Sequence, residues 1–158
     1  MELERGCFTL DQKPFFLYSG EIHYFRVPRK EWGARLTALK KAGFNTVSTY
    51  IPWLWHEPTE GVFDFTGDTV AERDLVGFLD LAAKMKLFVS ARVGPVSNAE
   101  LVNEGLPVWL VKQYPEIFVT GHRSVGNLAH VTMVSYLHPV FQEKVGRWYG
   151  RLLPFVAD

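Results

Sequence analysis

The sequence predicts an α/β fold built on parallel strands, and three observations carry that expectation. Short apolar, β-branched runs alternate with segments of helical periodicity. Each strand-like run is followed by a cluster of polar and aromatic residues, as at the C-terminal ends of parallel strands. No glycine-rich G-x-G-x-x-G loop follows any strand, since "SGEIHY" and "RVGPVS" lack the spacing. That absence weighs against an open nucleotide-binding sheet and favours part of an eight-fold (β/α) barrel.

The elements follow in order. "CFTLDQKPFFLYSG" reads as a β-hairpin, with Asp11 and Pro14 supplying turn chemistry. After Pro28, "RKEWGARLTALKKAG" sets Trp32, Leu36, Leu39 and Ala42 at helical spacing, and Gly43 stops the helix. "FNTVSTYI" is a β-branched strand. "ERDLVGFLDLAAKMK" puts Leu75, Phe78, Leu79, Ala82 and Met85 on one helical face. "LFVSARV" reads as a strand buried on both faces. The stretch from 104 to 138 is the least regular, with a short helix at "LPVWLVKQ". Last, "PVFQEKVGRWYGRLL" aligns Phe141, Val145, Trp148 and Leu152 behind Pro139. The expectation is the first three βα units of a barrel preceded by a hairpin, forming one incomplete domain over 1–158. A whole barrel takes about 250 residues.

Composition excludes several classes. Of 158 residues, 47% are hydrophobic, enough for a core, and 17 basic residues balance 17 acidic ones. No electrostatic footprint for nucleic acid or an anionic membrane results. No apolar run is long enough to span a bilayer, and "MELERG" lacks the pattern of a signal peptide. With the single cysteine Cys7, these features make a cytoplasmic location the expectation. No His or Cys residues show metal-ligand spacing, and no G-x-S-x-G elbow is present, so neither a metal nor another cofactor is expected.

The chemistry-capable residues gather after the strands. Glu21, His23, Tyr24 and Arg26 follow the first. Tyr50, Trp53, Trp55, His56 and Glu57 follow the second, and Asn98, Glu100, Asn103 and Glu104 the third. Carboxylates and amides grip hydroxyl groups while aromatic faces stack on sugar rings, so the set suits a neutral polyhydroxylated ligand. Plainer roles fit the same residues. Trp53 and Trp55 suit core packing, and His56-Glu57-Pro58 suits a turn whose carboxylate caps a neighbouring backbone. His23 suits a hydrogen-bonded structural histidine, and Glu21 and Arg26 suit a mutual ion pair.

A family pattern runs through these residues. "SGEIHYFRVPRKEWGARLTALKKAGFNTVSTYIPWLWHEPTEGVFDFTG" resembles the opening of glycoside hydrolase family 35, the β-galactosidases. That pattern is S-G-x-I-H-Y-x-R-x-P, a tryptophan, K-x-x-G-x-N, then T-Y-x-P-W-x-x-H-E-P-x-x-G. The resemblance implies a TIM barrel and hydrolysis of terminal β-galactosides with retention. It also implies that Tyr50, Ala99 and Glu100 hold the sugar, with Asn98 at the family's cysteine position beside them. Glu100 then accepts sugar hydroxyls and is not the proton donor.

The third-strand loop departs from the pattern. R-P-G-P-Y-I-C-A-E-W becomes "RVGPVSNAEL", with Val93, Val96, Asn98 and Leu101 in place of proline, tyrosine, cysteine and tryptophan. Two lost aromatics remove about 1 kcal/mol of stacking each, so galactose preference does not follow from the resemblance. The stretch "LPVWLVKQYPEIF" also resembles family 42 β-galactosidases. Retaining glycosidases need two carboxyl groups about 5 Å apart. The resemblance puts both catalytic glutamates beyond residue 158, so no catalytic residue is expected in this chain. Its expected partners are a β-galactoside sugar and either the remaining barrel polypeptide or a second copy. The alternative is a non-catalytic carbohydrate-binding or assembly module.

Overall fold

The computed structural model describes residues 2–4, 7–97, 99–119 and 133–156. Two sheets organise them, one antiparallel and one parallel. β1 (Glu2–Glu4), β2 (Cys7–Leu10) and β3 (Lys13–Pro14) form the antiparallel sheet in that order. Asp11 and Gln12 between β2 and β3 both have left-handed φ, 51° and 62°, as a tight two-residue hairpin requires. The expected hairpin is therefore present, but its return strand is only Lys13–Pro14. The three residues of β1 carried too little periodicity to register in the sequence.

β4 (Ser19–Glu21), β5 (Thr46–Tyr50) and β6 (Phe88–Arg92) form the parallel sheet, with β5 in the middle. Helix α1 (Trp32–Lys41) joins β4 to β5. Helices α2 (Trp53–His56) and α3 (Leu75–Lys84) lie between β5 and β6. α4 (Val108–Gln113) and α5 (Pro139–Val156) follow β6. Each helix has a local cause. Gly43, at φ 91°, takes the left-handed turn that ends α1. Asp74 caps α3 by accepting the Gly77 N–H at 2.8 Å. α5 buries Phe141, Trp148 and Leu152, as their spacing predicts.

One glycine fixes which way the parallel sheet faces. A Cβ on Gly20 would lie 2.8 Å from the Leu39 side chain, so this position points at α1 and a larger residue would have to push Leu39 aside. Gly20 pairs with Val47, which pairs with Val89, and these positions share that side. Side chains alternate along a strand, so Glu21, Ser48, Tyr50, Ser90 and Arg92 lie on the face turned away from α1. The sequence expectation of a third strand buried on both faces is corrected here. Phe88 and Ser90 are exposed, and Val89 and Ala91 are half-buried. β6 lies at a sheet edge, and its apolar composition recorded a strand without recording what covers it.

The core is strongly aromatic. Tyr24, Trp32 and Phe78 meet at centroid distances of 5.1 to 6.0 Å. A second cluster stacks Trp53 on Trp148 at 5.9 Å and His56 on Phe65 at 4.9 Å. His56 is fully buried between two partners. Its Nδ1 lies 2.5 Å from the Asp64 carbonyl, which only accepts, so Nδ1 carries the hydrogen. Nε2 is then the acceptor for the Tyr24 hydroxyl at 2.5 Å. Burial of Tyr24 holds its pKa well above the ordinary value, so that hydroxyl stays a donor. The Asp64 carboxylate accepts N–H bonds from Gly67 at 2.8 Å and Thr69 at 2.9 Å. Burial works against its ionisation, but those bonds win and hold its carboxyl well below the usual range.

Burial, partly opposed by the Asp64 carbonyl, lowers the His56 pKa to about 4. The unfolded chain takes up this proton near pH 6.5, while the folded chain resists until about pH 4. Stability from this group is complete above pH 6.5 and is lost as pH falls toward 4. A loss of about 3 kcal/mol across that interval is expected, seen as a falling Tm. A Tm profile that stays flat from pH 6.5 to 4 would contradict it.

Candidate functional site

The C-terminal ends of β4, β5 and β6 bring one set of side chains together. The Arg92 guanidinium lies 3.6 Å from the centre of the Tyr50 ring, a close cation–π contact. Arg92 Nη2 also sits 2.5 Å from Glu21 Oε1, and His23 Nε2 reaches the same oxygen at 2.8 Å. The His23 ring lies 5.4 Å from the Tyr50 ring and stacks on Phe25 at 5.5 Å. Burial lowers the His23 pKa, and Arg26 and Arg92 add to this against Glu21 and Glu100. The ring is therefore neutral at neutral pH. Nε2–H donates to Glu21, and Nδ1 is left as a buried lone pair with no partner among the described residues.

The loop after β6 closes over this end. Its Ser97 N–H donates to the Glu104 carbonyl at 2.8 Å. Ala99 is buried, whereas the neighbouring Glu100 side chain is 90% exposed. Glu100 has φ 49°, a left-handed backbone that costs a residue with a side chain about 1 kcal/mol. Arg26 holds this turn in place. Its Nη2 donates to the Ala99 carbonyl and, at 3.3 Å, to the Glu100 carbonyl, while Nη1 lies 4.0 Å from the Glu100 carboxylate. Asn98, the remaining sequence candidate, lies outside the described residues.

Tyr50, Ala99 and Glu100 therefore sit at the same end of the parallel sheet, linked through Arg92, His23 and Arg26. The expected pairing of Glu21 with Arg26 is corrected. Glu21 turns to His23 and Arg92, and Arg26 crosses to the loop after β6. Both arginines were missed as organisers. Arg92 was legible as a charge at a strand's end, but the reach of Arg26 across 73 residues of sequence left no local signal.

The residues after β5 divide differently. Trp53, His56 and Glu57 are fully buried and belong to the scaffold. Glu57 accepts the Trp53 indole N–H at 2.5 Å, the Gly61 N–H at 2.7 Å and Arg147 Nη2 at 2.8 Å. The plainer reading of that motif is the one realised, because the carboxylate does cap a neighbouring backbone. Trp55 donates to the Glu72 carbonyl at 3.3 Å and lies under Arg73. Among the described residues no group of His, Cys, Asp and Glu could hold a metal ion, and no helix is long and apolar enough to cross a membrane.

Arg26→Ala is expected to lower stability by about 1–2 kcal/mol, because the Ala99–Glu100 turn loses its latch and two carbonyls lose a charged donor. Arg26→Lys should not restore it, since an ammonium lacks the planar fork that spans two carbonyls. Denaturant midpoints of the two variants check this. Recovery by lysine would reduce the role of Arg26 to its charge.

Tyr50, two carboxylates and two arginines are thus gathered at the strand ends of a parallel α/β sheet. The model of "Glycosyl hydrolases family 35" matches residues 7–157. The chain belongs to this glycosidase family, which implies a TIM barrel. It is 45% identical over 152 residues to an exo-beta-D-glucosaminidase of Pyrococcus horikoshii, covering 96% of this chain and 20% of that protein. It is 41% identical over 150 residues to a beta-1,2-glucosyltransferase of Ignavibacterium album, covering 95% and 21%. It is 39% identical over 154 residues to a beta-galactosidase-1-like protein of Mus musculus, covering 98% and 20%. The chain spans about a fifth of the length of these curated relatives. The family match includes "LPVWLVKQYPEIF", and nothing separately supports the family 42 alternative.

Proposed function

We propose that this chain supplies the sugar-gripping part of a retaining exo-β-glycosidase that removes terminal β-galactosides. Tyr50, Ala99, Glu100 and Asn98 hold the sugar, and the three parallel strands with their helices are the opening βα units of a TIM barrel. The observation that carries the reading is the Arg26 latch. It brings the Ala99–Glu100 turn to the end of the sheet where Tyr50 lies. Family membership supplies the reaction class.

Retention needs two carboxyl groups about 5 Å apart, an acid/base and a nucleophile. Glu57 is consumed by Trp53, Gly61 and Arg147, and Glu100 stands on the rim as a hydroxyl acceptor. We assign both catalytic carboxylates to polypeptide beyond these 158 residues. Further strands would dock on the outer edges of β4 and β6, which have no strand neighbour among the described residues.

A second reading has its own support. The Pyrococcus horikoshii relative is an exo-beta-D-glucosaminidase, and the loop after β6 carries Val96 and Leu101 in place of the aromatics of the β-galactosidase pattern. A mostly exposed carboxylate such as Glu100 also suits an ammonium group. The deciding experiment compares 4-nitrophenyl β-galactoside with 4-nitrophenyl β-glucosaminide on the complete enzyme. Faster turnover of the galactoside supports the first reading. A preference of tenfold or more for the glucosaminide replaces it with the second, and turnover of neither overturns both.

A further inference from the structure

Glu21 is the one carboxylate on the sheet face turned away from α1 whose two oxygens are used unequally. Oε1 takes both contacts, from His23 Nε2 at 2.8 Å and from Arg92 Nη2 at 2.5 Å. Oε2 has no partner among the described residues, and 46% of the side chain is exposed. Both are ion-pair contacts, the Arg92 one without hydrogen-bond geometry, and together they engage one oxygen and leave the other unengaged. Such a group is preorganised, because its own contacts restrict its motion before any ligand arrives.

Its surroundings are those of the proposed sugar site. Arg92, which holds Oε1, also covers the Tyr50 ring. His23, which holds the same oxygen, lies against Tyr50 and feels the charges of Glu21 and Glu100 alike. Glu21, Arg92, Arg26 and Glu100 together carry two negative and two positive charges around a neutral imidazole. A balanced site of this kind favours a neutral hydroxyl donor over a free ion.

We propose that Glu21 is a further substrate-contacting residue that determines specificity, its Oε2 accepting a hydrogen bond from one hydroxyl of the terminal sugar. His23 and Arg92 are the positioning residues that hold it for that purpose. This rests on the reading of Tyr50 and Glu100 as the sugar-holding end, and it adds a contact from β4 to those from β5 and from the loop after β6. A site that accepts a hydroxyl disfavours the analogue that lacks it, and at a half-exposed carboxylate the difference is that of one charge-assisted hydrogen bond exchanged for water.

The test uses the complete enzyme and the 4-nitrophenyl glycoside that it cleaves best, with the four singly deoxygenated versions of that sugar. Glu21→Ala is expected to lower kcat/KM for the parent sugar by about 10- to 100-fold. The loss should be no more than about threefold for one deoxy analogue, the one missing the hydroxyl that Glu21 reads. Glu21→Gln keeps the shape and an acceptor oxygen, so it should fall between the two and guard against misfolding of the alanine variant. Equal losses across all five substrates would overturn the proposal and leave Glu21 a structural ion partner. No loss on any of them would overturn it as well. If the unmodified enzyme neither cleaves nor binds any β-glycoside, the sugar site itself fails and this assignment falls with it. That outcome is distinct from uniform losses in an active enzyme.

Discussion

Replacing Glu57 with alanine is expected to destabilise the complete enzyme by about 3–5 kcal/mol, as removal of one partner from a buried ion pair does. The side chain is fully buried, and its two oxygens serve three donors. Its own carbonyl accepts the Trp109 indole N–H at 2.9 Å, tying α4 to the same point. Alanine would strand the buried Trp53 indole N–H without an acceptor, whereas the Gly61 N–H, on an exposed residue, could turn to water. Arg147 would be left with only Glu60 at 3.2 Å. Against a typical stability of 5–15 kcal/mol, that loss is most of a small protein's margin. Glu57→Gln keeps an acceptor for the indole and should cost about half as much. Glu60 is partly exposed and shared with Lys144 at 3.0 Å, so Glu60→Ala should cost about 1 kcal/mol. Denaturant midpoints for the three variants check the order. A Glu57→Ala protein as stable as the parent would show that the cluster contributes nothing.

The opposite pattern is expected at Glu100. Its side chain is mostly exposed, and its nearest ion contact is Arg26 at 4.0 Å, so little stability depends on it. Glu100→Ala should change stability by no more than about 0.5 kcal/mol. On the role proposed for it, kcat/KM should nonetheless fall about 100-fold, since a carboxylate acceptor for sugar hydroxyls would be gone. Glu100→Gly sharpens the contrast. At φ 49° glycine relieves the left-handed backbone, so this variant should gain about 1 kcal/mol of stability while losing as much activity as alanine. Thermal melting set beside kinetics checks both halves. Full activity in the glycine variant would remove Glu100 from the site.

Much of the fold was legible because burial leaves a period. Leu75, Phe78 and Ala82 of α3 and Phe141, Trp148 and Leu152 of α5 were read from their spacing and are buried as expected. Spacing does not report what lies beyond a surface, and so the exposed side of β6 was misjudged. Residue type also fails to separate rim from core. Tyr24, Trp53, His56 and Glu57 follow strands just as Glu21 and Tyr50 do, yet they are interior. What distinguishes them is how many donors and rings converge on each, a property of the assembled chain. The long-range contacts of Arg26 and Arg92 belong to the same category. They depend on strand register, and register is set by the whole sheet.

The anchoring of the loop after β6 has a consequence for divergence within the family. Arg26 grips the carbonyls of Ala99 and Glu100, the Trp148 indole grips the carbonyl of Val93, and the Tyr149 hydroxyl grips that of Gly94. Every clasp closes on main-chain oxygen, which all amino acids possess. At these four points the segment is tied without any side chain of its own. Substitutions in this segment that leave the backbone path unchanged would therefore keep all four clasps closed.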